Sequence, residues 1–256
     1  SRALVGAPVD DTAGGGDAGS ARVFLRTGTT WAQEATLLAP DGVASDYFGS
    51  SVALTSDGIR ALVGAPYDDT TGGIDAGSAR VFLRTGTTWA QEAALLAPDG
   101  RADDFFGQSV ALTSDGSRAL VGAHGDDTAG GAEAGSAHVF LRTGTAWAEE
   151  ATLLAPDGAE GDSFGYSVAL TSDGSRALVG ANSDDTATGD AGSARVFLRT
   201  GTAWAQEATL LAPDARVFDS LGWSVALTSD GSRALVGAPY DDTAVGTNAG
   251  SAHVFL

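Results

Sequence analysis

Carboxylates recur at three positions of this sequence, and their oxygens are the groups best suited to chemistry. An aspartate pair opens a glycine-rich segment five times: Asp10-Asp11, Asp68-Asp69, Asp126-Asp127, Asp184-Asp185 and Asp241-Asp242. The same segment closes each time on an oxygen-bearing side chain: Asp17, Asp75, Glu133, Asp190 and Asn248. A third carboxylate stands two residues before a Phe-Gly or Leu-Gly dipeptide: Asp46, Asp104, Asp162 and Asp219.

The opening and closing carboxylates allow two interpretations. Several oxygen ligands within one glycine-rich loop are what a hard cation such as Ca²⁺ requires, so both sets are candidate metal ligands. Aspartate and asparagine also favour turns, because they accept hydrogen bonds from nearby backbone amides. The sequence is compatible with a calcium site and with turn capping, and it indicates no other cofactor.

Catalysis is not predicted from the residue types present. The chain has no cysteine, which excludes disulfides, thiolate metal sites and a cysteine nucleophile. It lacks a Ser-His-Asp order with supporting motifs, a phosphate loop and a His/Cys metal cluster. The carboxylate pairs recur in every repeat, whereas an enzyme normally keeps one such pair at one site. The histidines form no metal-ligand spacing and are interpreted as surface variation: His124, His138 and His253.

The elements that must position these carboxylates come from an internal repeat of about 58 residues. The string Arg-Ala-Leu-Val-Gly-Ala begins at Arg2, Arg60, Arg118, Arg176 and Arg233. Each unit predicts four short strands, here called A to D, with a Ser-Asp-Gly turn between A and B. In the second unit the strands are residues 51–55, 60–65, 78–83 and 89–96.

The repeat predicts an all-β fold. A four-stranded antiparallel unit that recurs between four and five times along the chain predicts a β-propeller. We predict 18 strands in one domain over residues 1–256, with units at 1–47 (partial), 48–105, 106–163, 164–220 and 221–256 (partial). These are four and a half blades, for which a five-blade ring is the simplest arrangement. A fragment of a longer array, two chains sharing a ring and a β-solenoid are the alternatives.

Strand order predicts that the two ends of each blade differ in charge. The B–C and D–A loops lie at one end and hold most of the acids, whereas arginines flank the short A–B and C–D turns at the other. Sequence differences between units concentrate in the acidic loops, which are therefore the predicted partner surface. The candidate partner-binding residues are Asp46, Tyr47, Asp104, Phe105, Asp162, Asp219 and Trp223.

Tryptophans at the start of strand D are predicted to pack against a neighbouring blade or to cover a sheet edge. They are Trp31, Trp89, Trp147 and Trp204. Trp223 breaks the repeat, and we expect it to plug a central channel or to fill the space of a lost phenylalanine.

The net charge of −19 excludes nucleic acid and anionic membranes as favoured partners. Apolar runs are too short to span a bilayer, so direct membrane insertion is not predicted either. A protein or glycan ligand, or self-assembly, fits the composition better.

Phe48-Gly49, the Gly64-Ala65-Pro66 tripeptide and the Ala-Gly-Ser-Ala-x-Val-Phe pattern resemble the FG-GAP repeat of integrin α-chain propellers and bacterial surface proteins. The resemblance covers nearly the whole chain, although His124 and Asn182 replace the proline in two units. It implies an extracellular or cell-surface β-propeller. Integrin-type repeats carry a calcium loop between strands A and B, but the turn here has one carboxylate, so those sites are not carried over.

Two functions from different classes remain as predictions. The first is an extracellular binding or adhesion module that uses the acidic loops, with calcium as a candidate cofactor. The second is a structural unit that stacks into an array, with its acidic end on the arginine-bearing end of the next copy.

Overall fold

The computed structural model describes residues 1–185, 187–244 and 246–256, and it is all-β in these ranges. Eighteen strands form five small antiparallel sheets, numbered here along the chain. The prediction of an all-β protein with propeller blades is confirmed in class and in strand number. Among the described residues there is no helix that could cross a membrane.

Sheets 1 and 5 have three strands each, and the other sheets have four. Sheet 1 contains β1 (Arg2–Ala7), β2 (Ser20–Thr27) and β3 (Thr30–Leu37). Sheet 2 contains β4 (Val52–Leu54), β5 (Arg60–Ala65), β6 (Ser78–Thr85) and β7 (Thr88–Leu95). Sheet 3 contains β8 (Ser109–Leu112), β9 (Arg118–Ala123), β10 (Ser136–Thr143) and β11 (Ala146–Leu153). Sheet 4 contains β12 (Phe164–Leu170), β13 (Arg176–Ala181), β14 (Ser193–Thr200) and β15 (Ala203–Leu210). Sheet 5 contains β16 (Ser224–Leu227), β17 (Ala234–Ala238) and β18 (Ser251–Phe255).

Each strand pairs with the next one along the chain, as tight turns between antiparallel strands require. In sheet 2, Leu62 lies opposite Val81, and both side chains are fully buried. The A–B turn needs Gly58, whose φ of 65° is left-handed, and Asp57 accepts a hydrogen bond from the Ile59 amide there. Apolar cross-strand pairs and turn chemistry together explain why the repeat folds as a meander.

The chain divides into two compact units: residues 1–119 with 140–148, and residues 120–139 with 149–256. The core of the first unit contains Phe48, Val63 and Phe82. The core of the second unit contains Leu178 and Leu221 together with Ala234, Val236 and Ala238 of β17. Leu221 is fully buried, so it fills the position that phenylalanine holds in the other units. The expectation that Trp223 fills this space is wrong.

A backbone contact between consecutive repeats explains two of the recurring glycines. A Cβ on Gly64 would overlap the carbonyl oxygen of Gly107, the glycine of the next Phe-Gly dipeptide. The same relation joins Gly180 to Gly222 in the second unit. The Phe-Gly turn therefore lies directly on strand B of the preceding sheet, where no side chain fits.

Candidate functional site

In sheets 1, 2 and 4 the first aspartate of the preceding pair anchors strand C. Asp68 is buried, and its Oδ2 accepts hydrogen bonds from Ser78 Oγ at 2.5 Å and from Arg80 Nη2 at 2.6 Å. Asp184 accepts the same two bonds from Ser193 and Arg195 in sheet 4. These carboxylates thus accept hydrogen bonds from a serine and an arginine of the strand that follows their loop.

The arginine of this network is replaced by histidine in two repeats, which corrects the interpretation of the histidines as surface variation. His138 is fully buried; its Nε2 lies 2.9 Å from Ser136 Oγ and its Nδ1 lies 2.6 Å from Glu149 Oε1. His253 makes the corresponding contact with Ser251 Oγ. Both histidines stand two residues after a strand-C serine, as Arg80 does, and this shared position is visible in the sequence.

The second aspartate of each pair holds the closing residue of the loop. Its Oδ1 accepts the closing amide in all five repeats, for example Asp75 N to Asp69 Oδ1 at 3.0 Å. Every closing residue has a left-handed φ between 50° and 54°: Asp17, Asp75, Glu133, Asp190 and Asn248. Aspartate and asparagine tolerate this conformation better than most residues, so turn capping accounts for much of the recurrence.

The third carboxylate is buried in the D–A loop. Asp46, Asp104, Asp162 and Asp219 are each 2–3% exposed. Each accepts the amide three residues earlier, at 2.6 to 2.8 Å. Burial raises the pKa of Asp46 to about 6. The charges of Asp68 and Asp69 also raise it, whereas the hydrogen bond from the Val43 amide and the charge of Arg80 lower it. These four carboxylates close their own loops.

Neutralising Asp46 is expected to stabilise the fold above about pH 6. The pKa of Asp46 is raised from 3.8 to about 6 in the folded state. Protonated Asp46 therefore stabilises the fold fully below pH 3.8, and this stabilisation is lost as the pH rises through 6. Asp46→Asn should raise Tm by roughly 2–4 °C at about pH 8 and by nothing at about pH 4. Thermal melts over this pH range provide the measurement.

Asp173→Asn supplies a control of opposite sign. Hydrogen bonds from the Ser175 amide and hydroxyl and from Thr171 lower the pKa of Asp173 to about 2. Its contribution is therefore present above pH 3.8 and is lost as the pH falls through 2. Asp173→Asn should lower Tm at neutral pH. The difference in Tm between this variant and the unchanged protein should become smaller at acidic pH. A pH-independent effect of Asp46→Asn would contradict the assignment.

No group of three or more Asp, Glu, His or Cys side chains is placed to hold a metal ion in the described ranges. Carboxylates still lie near one another in the loops: burial raises the pKa of Asp75, and the charges of Asp69 and Asp103 raise it further. The residues predicted to open and close each B–C loop as metal ligands therefore lie in one loop. Many of their carboxylate oxygens already accept hydrogen bonds from amides, serines and arginines.

Aromatic side chains form a cluster at the acidic loops of each unit. The first aromatic cluster consists of Tyr47, Tyr67 and Phe105, and the Tyr67 ring lies 5.0 Å from Tyr47 and 5.3 Å from Phe105. Tyr67 is 40% exposed. Tyr47 and Phe105, both predicted partner-binding residues, have left-handed φ values of 52° and 55°. Ser163 and Ser220 adopt the same conformation at this position, so it belongs to the turn of the repeat.

The second aromatic cluster consists of His124, Tyr166, Trp223 and Tyr240. Tyr166 lies 5.4 Å from His124 and 4.9 Å from Trp223, which in turn lies 5.7 Å from Tyr240. Trp223 and Tyr240 are 38% and 45% exposed. Burial lowers the pKa of His124 to about 4, so its ring is neutral at physiological pH. Of these residues only Trp223 was predicted; the others follow strand B or the Phe-Gly dipeptide.

A family model decides what these repeats are. The FG-GAP repeat matches four stretches of the chain, residues 31–82, 89–140, 147–197 and 204–255. The chain is an FG-GAP repeat protein. Its five blades are those of an FG-GAP β-propeller. No curated protein matches the sequence.

Each match begins at a strand-D tryptophan and ends at the strand-C phenylalanine of the next sheet, as in Trp31 to Phe82. The FG-GAP unit therefore spans the interface between two sheets. FG-GAP propellers are protein-interaction modules, and this describes the class of protein to which the chain belongs.

The arginines of this FG-GAP protein are largely paired within the chain. Arg2, Arg60 and Arg176 form ion pairs with Glu34, Glu92 and Glu207, at 2.6 to 3.0 Å. The Nε atoms of Arg84, Arg142 and Arg199 donate to the turn carbonyls of Gly58, Gly116 and Gly174. The three ion pairs reduce the basic charge expected at that end of each blade, whereas the three arginines bonded to carbonyls keep their charge.

Proposed function

We propose that this FG-GAP protein is an extracellular or cell-surface, non-catalytic binding module. Its aromatic clusters, within loops rich in carboxylates, form the surface for a protein or glycan ligand. The observation that carries the proposal is the second aromatic cluster, in which two large rings are 38% and 45% exposed and in mutual contact. Exposed aromatic groups of this kind are enriched at binding surfaces, because they bury much area and keep a polar atom.

The position of the clusters supports specificity. Tyr47 and Phe105 stand where serine stands in later repeats, and Trp223 stands where Ser50, Gln108 or Tyr166 stands in the others. A ligand therefore meets a different surface on each blade. Exposed second aspartates such as Asp69 and Asp185 lie in the same loops and favour a ligand with cationic or hydroxyl groups.

Removing either exposed ring is expected to weaken ligand binding. The probes are an array of glycans and an array of basic peptides, applied to the purified chain. For whichever class of probe binds the unchanged protein, Trp223→Ala and Tyr240→Ala should each weaken the affinity by about tenfold or more, as substitutions of hot-spot aromatic residues do.

Trp31→Ala is the matched control, because Trp31 is 46% exposed but lies on β3 outside both clusters. Its affinity should equal that of the unchanged protein. An absence of binding in both arrays, or equal losses in all three variants, would remove the support for the proposal.

Calcium remains part of the proposal as a predicted cofactor. If the carboxylate sets bind it, millimolar Ca²⁺ should raise Tm by mass action and a chelator should reverse the shift. Asp69→Asn, which keeps an oxygen for the Asp75 amide but lowers the ligand charge, should reduce the shift. Identical melting curves with calcium and with chelator would show that the carboxylates only cap turns.

Stacking of copies through the loop ends is the second candidate function. It rests on the excess of acids in the B–C and D–A loops, but three of the arginines at the other end are paired with glutamates, which leaves less basic charge for those acids to meet. Light scattering at low and moderate salt tests it, and a monomer at every concentration would exclude it.

A further inference from the structure

Rings from three loops of the first unit meet in the first aromatic cluster. Tyr47 and Phe105 lie in the D–A loops that lead into sheets 2 and 3, and Tyr67 lies in the B–C loop of sheet 2. The plane of the Tyr67 ring is inclined by 56° to that of Tyr47 and by 65° to that of Phe105. A flat sugar stacks best on rings that share a plane, whereas inclined rings present two faces to one point. The cluster therefore has the shape of a corner.

This corner departs from the repeat in its aromatic residues and in one acid. The position of Tyr67 in sheets 3 and 4, and the position of Phe105 in the two later D–A loops, hold small residues: Gly125, Ser183, Ser163 and Ser220. Asp103 is an added acid, and its position holds other residues in the other units: Ser45, Gly161 and Phe218. Features common to all repeats serve the fold, whereas departures that coincide at one place are typical of a binding site.

The loops around the corner carry an excess of negative charge. Residues 66–77 and 96–105 hold three acids each, and their one basic residue is Arg101. Asp69 and Asp103 are exposed, and each stands two residues from a ring of the cluster. The pKa of Asp75 is raised by burial and raised further by the charges of Asp69 and Asp103. Repulsion among these acids favours a cationic ligand beside the rings.

These carboxylates act through charge more than as directed hydrogen-bond acceptors. Asp69 Oδ1 accepts the Asp75 amide, and Asp104 is 2% exposed and accepts the Arg101 amide. In the described part of the chain, no three acids or histidines are placed together to hold a metal ion. A metal ion needs close oxygen ligands, whereas a quaternary ammonium group carries its charge on methyl groups and is attracted by ring faces. Ring faces with charges at a distance suit the second kind of cation.

We propose that the first aromatic cluster binds a quaternary ammonium group of a ligand. The methyl groups of the cation contact the ring faces of Tyr67 and Phe105. Asp69 and Asp103 attract its charge from the two loops that flank the rings. The ligand carries no acid beside this group, since the surrounding carboxylates would repel it.

The proposed function supplies one premise, that an aromatic cluster is the binding surface. The chemical class of the ligand is the new element, and it concerns the first aromatic cluster and not the second. A comparison of a cation with a neutral molecule of the same shape tests the class. The ring variants and arrays described above test the surface.

Choline and its neutral isostere, in which a carbon atom replaces the nitrogen, separate charge from apolar contact. Proton NMR titrations of the purified chain follow the methyl signal, which contact with a ring face moves upfield. Choline should bind with roughly millimolar affinity, and this affinity should exceed that of the isostere by about threefold or more. Phosphocholine should bind more weakly than choline because the acids repel its phosphate, which distinguishes a free cation from a lipid headgroup.

Ring variants locate the bound cation. Tyr67→Leu and Phe105→Leu keep apolar bulk but remove a ring, so each should weaken choline binding by about twofold to fivefold. Trp31→Leu is the matched control, because Trp31 is 46% exposed on β3 outside both clusters. Its choline affinity should equal that of the unchanged protein.

Charge variants should act in opposite directions. Asp103→Asn should weaken choline binding by about twofold at low ionic strength, and Arg101→Gln should strengthen it by a similar factor. Both effects should become smaller at about 0.5 M salt. Glu160→Gln removes an exposed acid from the D–A loop before sheet 4 and should leave the affinity unchanged.

Equal affinity for choline and the isostere overturns the proposal and leaves the aromatic surface of the proposed function intact. The absence of a saturable choline shift up to about 100 mM overturns it as well. So does a choline affinity that survives both ring substitutions, or one that falls equally in Trp31→Leu. Choline binding at the corner together with silent glycan and peptide arrays would support the quaternary ammonium site and remove the support for a protein or glycan ligand.

Discussion

Gly64→Ala is expected to destabilise the first unit by about 3 kcal/mol or more, whereas Gly237→Ala should be neutral or stabilising. The two glycines hold the same place in strand B of sheets 2 and 5. A Cβ on Gly64 overlaps the Gly107 carbonyl, a backbone group that cannot move without displacing the next Phe-Gly turn. A Cβ on Gly237 would meet its nearest atom, Ser224 O, at 3.7 Å, which is ordinary contact.

Urea denaturation followed by tryptophan fluorescence measures this difference. The comparison controls for strand propensity and for loss of glycine in the unfolded chain, because both substitutions change the same residue in the same local sequence. If Gly64→Ala fails to fold, its absence from the soluble fraction beside a folded Gly237→Ala is the same result. Equal stability of the two variants would show that the Gly64–Gly107 contact does not constrain the fold.

Asp184→Ala is expected to lower the free energy of unfolding by about 3 kcal/mol, whereas Asp10→Ala should lower it far less. Arg195 is fully buried and pairs with Asp184 at 2.6 Å and with Asp157 at 2.9 Å. Without Asp184 the guanidinium remains desolvated, and its remaining partners are the exposed Asp157 and the Thr209 hydroxyl. The equivalent pair in sheet 1, Arg22 and Asp10, has side chains that are 43% and 30% exposed, so water replaces the lost partner there.

A double variant separates the value of the pair from the penalty of an unpaired charge. Arg195→Met with Asp184→Ala removes both charges, and it should recover much of the stability that Asp184→Ala loses. The free energies of unfolding come from denaturant titrations of the two single variants and the double variant. A double variant less stable than either single one would show that the ion pair itself stabilises the sheet.

The fold could be predicted from the sequence because its determinants are local. Alternating apolar residues, the Ser-Asp-Gly turn and the 58-residue period are each contained within one repeat, and they place β5 at its observed bounds, Arg60–Ala65. The candidate sites depend on contacts between distant positions. The link between Asp68 and Arg80 was missed, although their separation of 12 recurs between Asp10 and Arg22.

Burial was the other quantity that the sequence did not supply. Aspartate is usually exposed and histidine is intermediate, and the burial of Asp46 and His138 is explained by hydrogen bonds to the Val43 amide and to Glu149 that the sequence does not reveal. The aromatic clusters were predicted in part, since Tyr47, Phe105 and Trp223 break the repeat. Their neighbours Tyr67 and Tyr240 come from a different loop, and proximity between loops is a property of the folded blade.

The span from Trp31 to Phe82 carries the indole of one sheet and the strands of the next sheet that close over the same core. Unequal recombination between copies of such a gene segment would add or delete a whole interface and would leave every remaining one intact. The number of blades can then change in a single genetic event without any compensating substitution. Near-identical copies are what such a history would leave behind.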